Sequence, residues 1–99
     1  MIFEIIAENL KSYDDIHIVV RRNTLEVSRK STMNKMINGR QCVYVYQKDD
    51  VIIVVTRVLI IGHDGHCVPD IEEFTFYLYE PDSISNICDL IVSKIISFG

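Results

Sequence analysis

The segment VIIVVTRVLII, residues 51–61, constrains the fold more than any other. Nine of its eleven side chains are aliphatic, and only Thr56 and Arg57 interrupt them. As a strand it would run ~36 Å at about 3.3 Å per residue, and as a helix ~16 Å at about 1.5 Å per residue. Val and Ile lose rotamer freedom against a helical turn but pack well on a pleated surface, so a strand is expected. Being apolar on both faces, this strand needs cover on both and belongs at the centre of a sheet. Helices would cover one side, and large side chains or a partner the other. Arg57 adds a demand of its own: a cation among aliphatic neighbours must meet a carboxylate or a partner, and Glu72 and Glu73 are the internal candidates.

The flanking segments supply the remaining layers. In residues 1–13, Phe3, Ile6, Leu10 and Tyr13 recur at helical spacing, with Glu4, Glu8 and Lys11 on the other side. This pattern predicts an amphipathic helix, although residues 2–6 also read as an opening strand. Residues 16–22 alternate Ile16, Ile18 and Val20 against His17, Val19 and Arg21. A tight turn at Asn23 and Thr24 then leads into residues 25–29, where Leu25 and Val27 point inward, and the whole reads as a hairpin. Residues 30–40 have no clean period and end in Asn38-Gly39, which marks a long connection with a helical turn around residues 33–37. Residues 41–48 alternate Cys42, Tyr44 and Tyr46 against Val43 and Val45, and Asp49-Asp50 turns the chain into the aliphatic strand.

After a polar loop at residues 62–70, residues 72–79 alternate Phe74, Phe76 and Leu78 against Glu73, Thr75, Tyr77 and Tyr79. Pro81, Asp82 and Ser83 then stop the strand and cap a helix. Its apolar set is Ile84, Ile87, Cys88, Ile91, Ile95 and Phe98, widened by Leu90, Val92 and Ile96. Short connections pair consecutive strands. The expected fold is therefore one α+β domain over residues 1–99, a five-stranded antiparallel meander with the N- and C-terminal helices packed on one face.

Composition narrows the function classes. The chain is 48% apolar and 24% charged, ordinary globular usage that argues against disorder. Glu4 and Glu8 stand where a secretory leader would carry lysines, and Arg57 splits the longest apolar run, so a soluble cytoplasmic protein with no membrane segment is expected. Cys42, Cys67 and Cys88 are an odd, unevenly spaced set, which favours reduced thiols. Residues 1–40 hold seven Lys/Arg and five Asp/Glu, whereas residues 41–99 hold three and nine. An acidic surface disfavours nucleic acid and favours a basic protein partner.

Reactive side chains are few. His63, Asp64, His66 and Cys67 carry metal-capable atoms within five residues. Structural zinc sites, however, recruit ligands from two separated segments, so this stretch reads as a polar turn shaped by Gly62, Gly65 and Pro69. Cys67 paired with His17 or His63 lacks the positive surroundings that a thiolate nucleophile needs. The pairs Asp49-Asp50 and Glu72-Glu73 read as solvated turns and strand starts, and no phosphate-loop, nucleophile-elbow or zinc-protease motif occurs. The reading is of a protein that is no enzyme and uses no cofactor. What remains is a surface on which Asp64, Asp70, Glu72, Glu73, Glu80 and Asp82 lie close to Tyr77 and Tyr79. Acids beside aromatic anchors suit capture of a basic protein, and the plainer reading is scattered solubilising charge.

In size, acidity and α+β layout over its whole length the chain resembles bacterial toxin-immunity proteins, such as those of contact-dependent growth inhibition systems. The resemblance implies an antitoxin that binds one cognate toxin, commonly a basic nuclease, by covering its active site or an exosite. The matching contact set here is Asp64, Asp70, Glu72, Glu73, Tyr77 and Tyr79. The alternative is a small viral or mobile-element protein that binds nucleic acid or a host factor through residues 21–40. In that stretch six basic residues face the single acid Glu26, and such a protein could form a homodimer by pairing sheet edges.

Overall fold

The computed structural model describes residues 2–30, 42–61 and 63–97, and of residues 58–61, 67 and 97 the backbone alone. In chain order the elements are helix α1 (Ile2–Leu10), strands β1 (Ile16–Val20), β2 (Thr24–Arg29), β3 (Cys42–Lys48), β4 (Val51–Ile61) and β5 (Cys67–Tyr77), and helix α2 (Ser83–Ser97). The five strands form one antiparallel sheet in the order β1-β2-β3-β4-β5. This is the α+β meander that the short connections predict. The aliphatic strand β4 is interior but not central: β3 holds the middle place, and β4 lies between it and the outer strand β5. Position in a meander follows chain order, and only one strand comes after β4.

Register sorts the side chains into two faces. Val27 lies opposite Val43, Val43 opposite Thr56, Val45 opposite Val54, and Val54 opposite Phe74. On this face Leu25, Val27, Val43, Val45, Ile52 and Val54 are fully buried, in one cluster with Phe3, Ile6 and Leu10 of α1 and Ile87, Ile91 and Ile95 of α2. Both helices therefore cover the same side of the sheet. The helical period of the two termini and the two-residue period of the strands meet in this cluster, which is why each sequence pattern needs the other.

Local chemistry fixes the turns. Arg21 N–H donates to the Thr24 carbonyl at 2.8 Å, which closes a two-residue hairpin loop at Arg22 and Asn23. Thr24 thus opens β2 instead of sharing in the turn. The β3–β4 turn places Asp49 at φ 55°, a conformation that Asp tolerates better than most residues, and the Gln47 side-chain amide donates to its carbonyl at 2.9 Å. Asn86 N–H donates to the Asp82 carbonyl at 2.9 Å, so Asp82 stands at the N-cap of α2.

Three expectations shift. α1 ends at Leu10, and Tyr13 is 46% exposed because the chain has by then turned toward β1. Ile96 does not widen the buried stripe of α2. It is 69% exposed, since it lies on the flank of the helix away from the Ile87, Ile91 and Ile95 row. β5 begins at Cys67, where a loop had been expected through Asp70. The expected helical turn around residues 33–37, most of the basic run to Arg40, and the ends at Phe98 and Gly99 lie outside the described residues.

The burial pattern of α2 sets two contrasting outcomes. Ile91→Ala should cost about 2–5 kcal/mol in chemical denaturation, because it leaves a cavity between helix and sheet, whereas Ile96→Ser should stay within about 0.5 kcal/mol. Equal losses would contradict the face assignment. Thr56 is fully buried, and its hydroxyl has no partner among the described residues. Removing that hydroxyl in Thr56→Val should raise stability by about 1 kcal/mol, the scale of one buried unsatisfied group.

Candidate protein-binding edge

The second face of the sheet carries no helix among the described residues. Tyr44, Tyr46, Val51, Ile53, Val55 and Arg57 lie on it, all partly exposed. Toward the outer strand it continues through Ile71, 60% exposed, and Tyr77, 43% exposed, with exposed Glu73 and Thr75 between them. The tyrosines near this face are divided. Tyr44, Tyr46 and Tyr77 lie on it, but Tyr79 stands in the turn beyond β5, 76% exposed, with its ring 5.5 Å from that of Tyr77.

This face is not acidic. Glu26 and Glu73 share it with Arg57 and Lys48, and Arg21 pairs with Glu26 at 3.5 Å. The acids follow β5 instead. Residues 64–82 contain six Asp/Glu and no Lys or Arg. Strand alternation sends Asp70 and Glu72 to the helix side and Glu73 to the open side.

Glu72 does not answer Arg57. Its carboxylate takes a 3.1 Å bond from Lys94 of α2, whose ammonium also lies 5.3 Å from the Phe74 ring centre, so Glu72 ties helix to outer strand. The expectation that Arg57 could turn to Glu72 is corrected by register: Glu72 lies opposite Thr56, on the other face from Arg57. Glu73 does share the face of Arg57, one diagonal step away.

The six proposed contact residues do not form one compact patch. An eleven-residue strand spans ~36 Å, so Asp64 in the turn before β5 is remote from Tyr77 at its end. Asp64 also accepts the His66 N–H at 3.1 Å and lies 3.9 Å from the His66 ring nitrogen, closing its own turn. Gly65, at φ 82°, supplies the left-handed residue that turn requires. His63 and His66 are exposed there, and the Cys67 side chain lies outside the description. Among the described residues no three metal-capable side chains converge.

The backbone of β5 reveals what side-chain patterns could not. Leu78 N–H donates to the Asp50 carbonyl at 2.9 Å, so residues 50 and 78 form a hydrogen-bonded pair. Antiparallel ladders alternate such pairs with non-bonded ones. Along this register, Phe76, Phe74, Glu72, Asp70 and Val68 therefore turn their N–H and C=O groups toward β4. Tyr77, Thr75, Glu73, Ile71 and Pro69 turn theirs away from the sheet. Pro69 thus sits where its missing N–H costs no ladder bond, which explains why β5 runs through a proline. Ile71 and Thr75, absent from the expected contact set, belong to the same outward row.

On the basic side, Arg29 donates to Asp15 at 2.8 Å and Arg21 pairs with Glu26. Two cations of the 21–40 run are thus engaged within the fold. The remaining thiols are quiet: Cys42 is buried, and burial, with Asp89 beside it, pushes the Cys88 thiol up from its ordinary range.

Compared with protein-family models, with curated proteins and with solved structures, the chain gives no significant match in any of the three.

Tyr44 gives the open face a measurable property. Its hydrogen bond with the Cys42 side chain, then burial and the nearby charges of Cys42 and Glu26, push its pKa up to about 12 against the pull of Arg57. The folded state holds this proton more tightly than the unfolded chain. The resulting stabilisation is full below about pH 10 and is lost as pH rises through about 12. A phenolate-absorbance titration should show one late-titrating tyrosine, and Tyr44→Phe should abolish that component. A late component that survives the substitution would assign it elsewhere.

Proposed function

We propose that the chain is a cytoplasmic immunity protein, an antitoxin that neutralises a basic toxin, of nuclease type, by protein–protein contact and performs no chemistry of its own. The observation that carries this reading is the outer strand β5. It is long and exposed, flanked on both faces by carboxylates, and ends in the Tyr77–Tyr79 ring pair. Carboxylates accelerate encounter with a cationic surface, and aromatic rings supply contact area at little entropic cost.

Several features support binding over catalysis. The acids Asp70 and Glu73 stand on an exposed strand, and general acid–base work asks for a carboxyl group within reach of a bound substrate in a shielded cleft. Asp64 and His66 close a turn between themselves, and His63 beside them is exposed. Covering a nuclease active site requires only a rigid acidic surface, and the Lys94–Glu72 bond braces β5 against α2 for that role. Glu72 is accordingly assigned to positioning, while Asp70, Glu73, Tyr77 and Tyr79 are assigned to contact. Asp64 joins them only if the partner extends along the whole strand.

Immunity genes adjoin those of their toxins, so the product of the neighbouring gene is the partner to test. Expressed alone it should arrest growth, and co-expression of this chain should relieve the arrest and yield a stable complex on gel filtration. Reversing charge at both Asp70 and Glu73 should weaken that complex by about a hundredfold and abolish protection. These two positions are chosen because reversal at Glu72 would also break the bond to Lys94. A harmless neighbouring product, or a complex indifferent to both reversals, would overturn the proposal.

A further inference from the structure

We infer that β5 binds its partner by strand addition: an extended, lysine- or arginine-rich segment of the partner pairs with residues 71–77 as a sixth strand. This rests on the reading of β5 as a protein-binding edge and specifies how that edge is used. The alternation derived from the Leu78–Asp50 hydrogen bond turns the N–H and C=O groups of Ile71, Glu73 and Thr75, and the N–H of Tyr77, away from the sheet. Such a row is a template for another strand.

The row has defined ends. Pro69 offers no N–H at the next outward position, and the Tyr77 carbonyl already accepts the Glu80 N–H at 3.1 Å. The usable edge is about 20 Å long, enough for a segment of roughly seven residues.

Charge decides the occupant. A strand laid on this edge would run beside Asp70 on its helix side, where Glu72 is held by Lys94 of α2, and beside Glu73 on its open side, with no Lys or Arg between residues 64 and 82. Lysines or arginines that alternate along the added strand share one face, where they would meet Asp70 on the helix side or Glu73 on the open side. A second copy of this chain, paired antiparallel through the same residues, would instead bring the carboxylates of both copies together, and like charges across a ladder destabilise it. The opposite edge of the sheet suits a basic strand poorly: the groove beside β1 is lined by Lys11, His17 and Lys30.

The test uses the whole chain and a short synthetic peptide alternating lysine with valine. Binding is read by fluorescence polarisation, with the chain's own association state followed by sedimentation. The peptide should bind, and a peptide N-methylated along one edge should bind at least about tenfold more weakly, since its strand-pairing donors are gone. Thr75→Pro removes an outward N–H without touching the β4 ladder and should also cost about tenfold. Because the methylated peptide leaves the protein unaltered, a folding defect in Thr75→Pro cannot mimic this result.

Three outcomes overturn strand addition. If N-methylation and Thr75→Pro have no effect while charge reversal at Asp70 and Glu73 still abolishes binding, the peptide is held by charge alone, and the broader proposal of a basic protein partner stands. If no form of the peptide binds, the edge does not accept a basic strand, and the broader proposal rests on the neighbouring-gene experiment. If the free chain is a dimer that Thr75→Pro dissociates, a second copy occupies the edge.

Discussion

Burial of one face of β4 beneath α2 and α1 is the constraint on which the rest depends. Ile52 and Val54 are fully enclosed with Ile87 and Ile91 of α2 and Ile6 and Leu10 of α1. A one-residue slip of β4 would exchange these side chains for Val51, Ile53 and Val55, which also are aliphatic. The strand's own pattern therefore specifies its register weakly. Its neighbours specify it strongly: slippage would place Tyr44 or Tyr46 of β3 out of step with Ile53 and Val55, and Glu73 or Thr75 of β5 out of step with the open face. Turns at Asp49-Asp50 and at residues 78–80 then hold that register in place.

Much of this was legible from residues alone, for stated reasons. Alternation named the buried Leu25 and Val27 of β2 and placed the partly buried Phe74, Phe76 and Leu78 together, because both segments have one apolar and one mixed face. The row of Ile87, Ile91 and Ile95 announced its own burial through helical spacing. Legibility failed where two periodicities compete or where a residue carries a misleading preference. Pro69 and the glycines around it read as loop, yet β5 passes through Pro69 because the outer edge of a sheet does not need its N–H. Ile96 read as core because hydropathy does not reveal which flank of a wide stripe a helix turns outward.

The candidate site was legible as a list of residues but not as a geometry. Asp70, Glu72, Glu73 and Tyr77 share one strand, whereas Asp64 and Tyr79 stand in the turns at its two ends. Strand alternation divides them between faces, but the diversion of Glu72 to Lys94 depends on a partner twenty-two residues away. What no side-chain pattern carries is the direction of backbone groups, which the hydrogen bond between Leu78 and Asp50 settles for the whole strand. Three of the chain's fourteen acids, Asp70, Glu72 and Glu73, thus stand on the outer strand. The open face beside it is mixed in charge and apolar at its centre, and under the proposed strand addition it would be the floor against which the partner makes further contact.

Acidic side chains on an outer strand have a second physical consequence. They discourage self-association of an exposed ladder, and under the proposed strand addition the same residues would select a basic partner. The most direct measurement of this account is amide hydrogen exchange of the free protein, resolved residue by residue along β5. Slow exchange is expected at Glu72, Phe74 and Phe76, whose N–H groups bond β4, with fast exchange at Ile71, Glu73 and Thr75 between them. Uniform protection along the strand, or slow exchange at the second set and fast at the first, would contradict the assignment of β5 as an open outer edge.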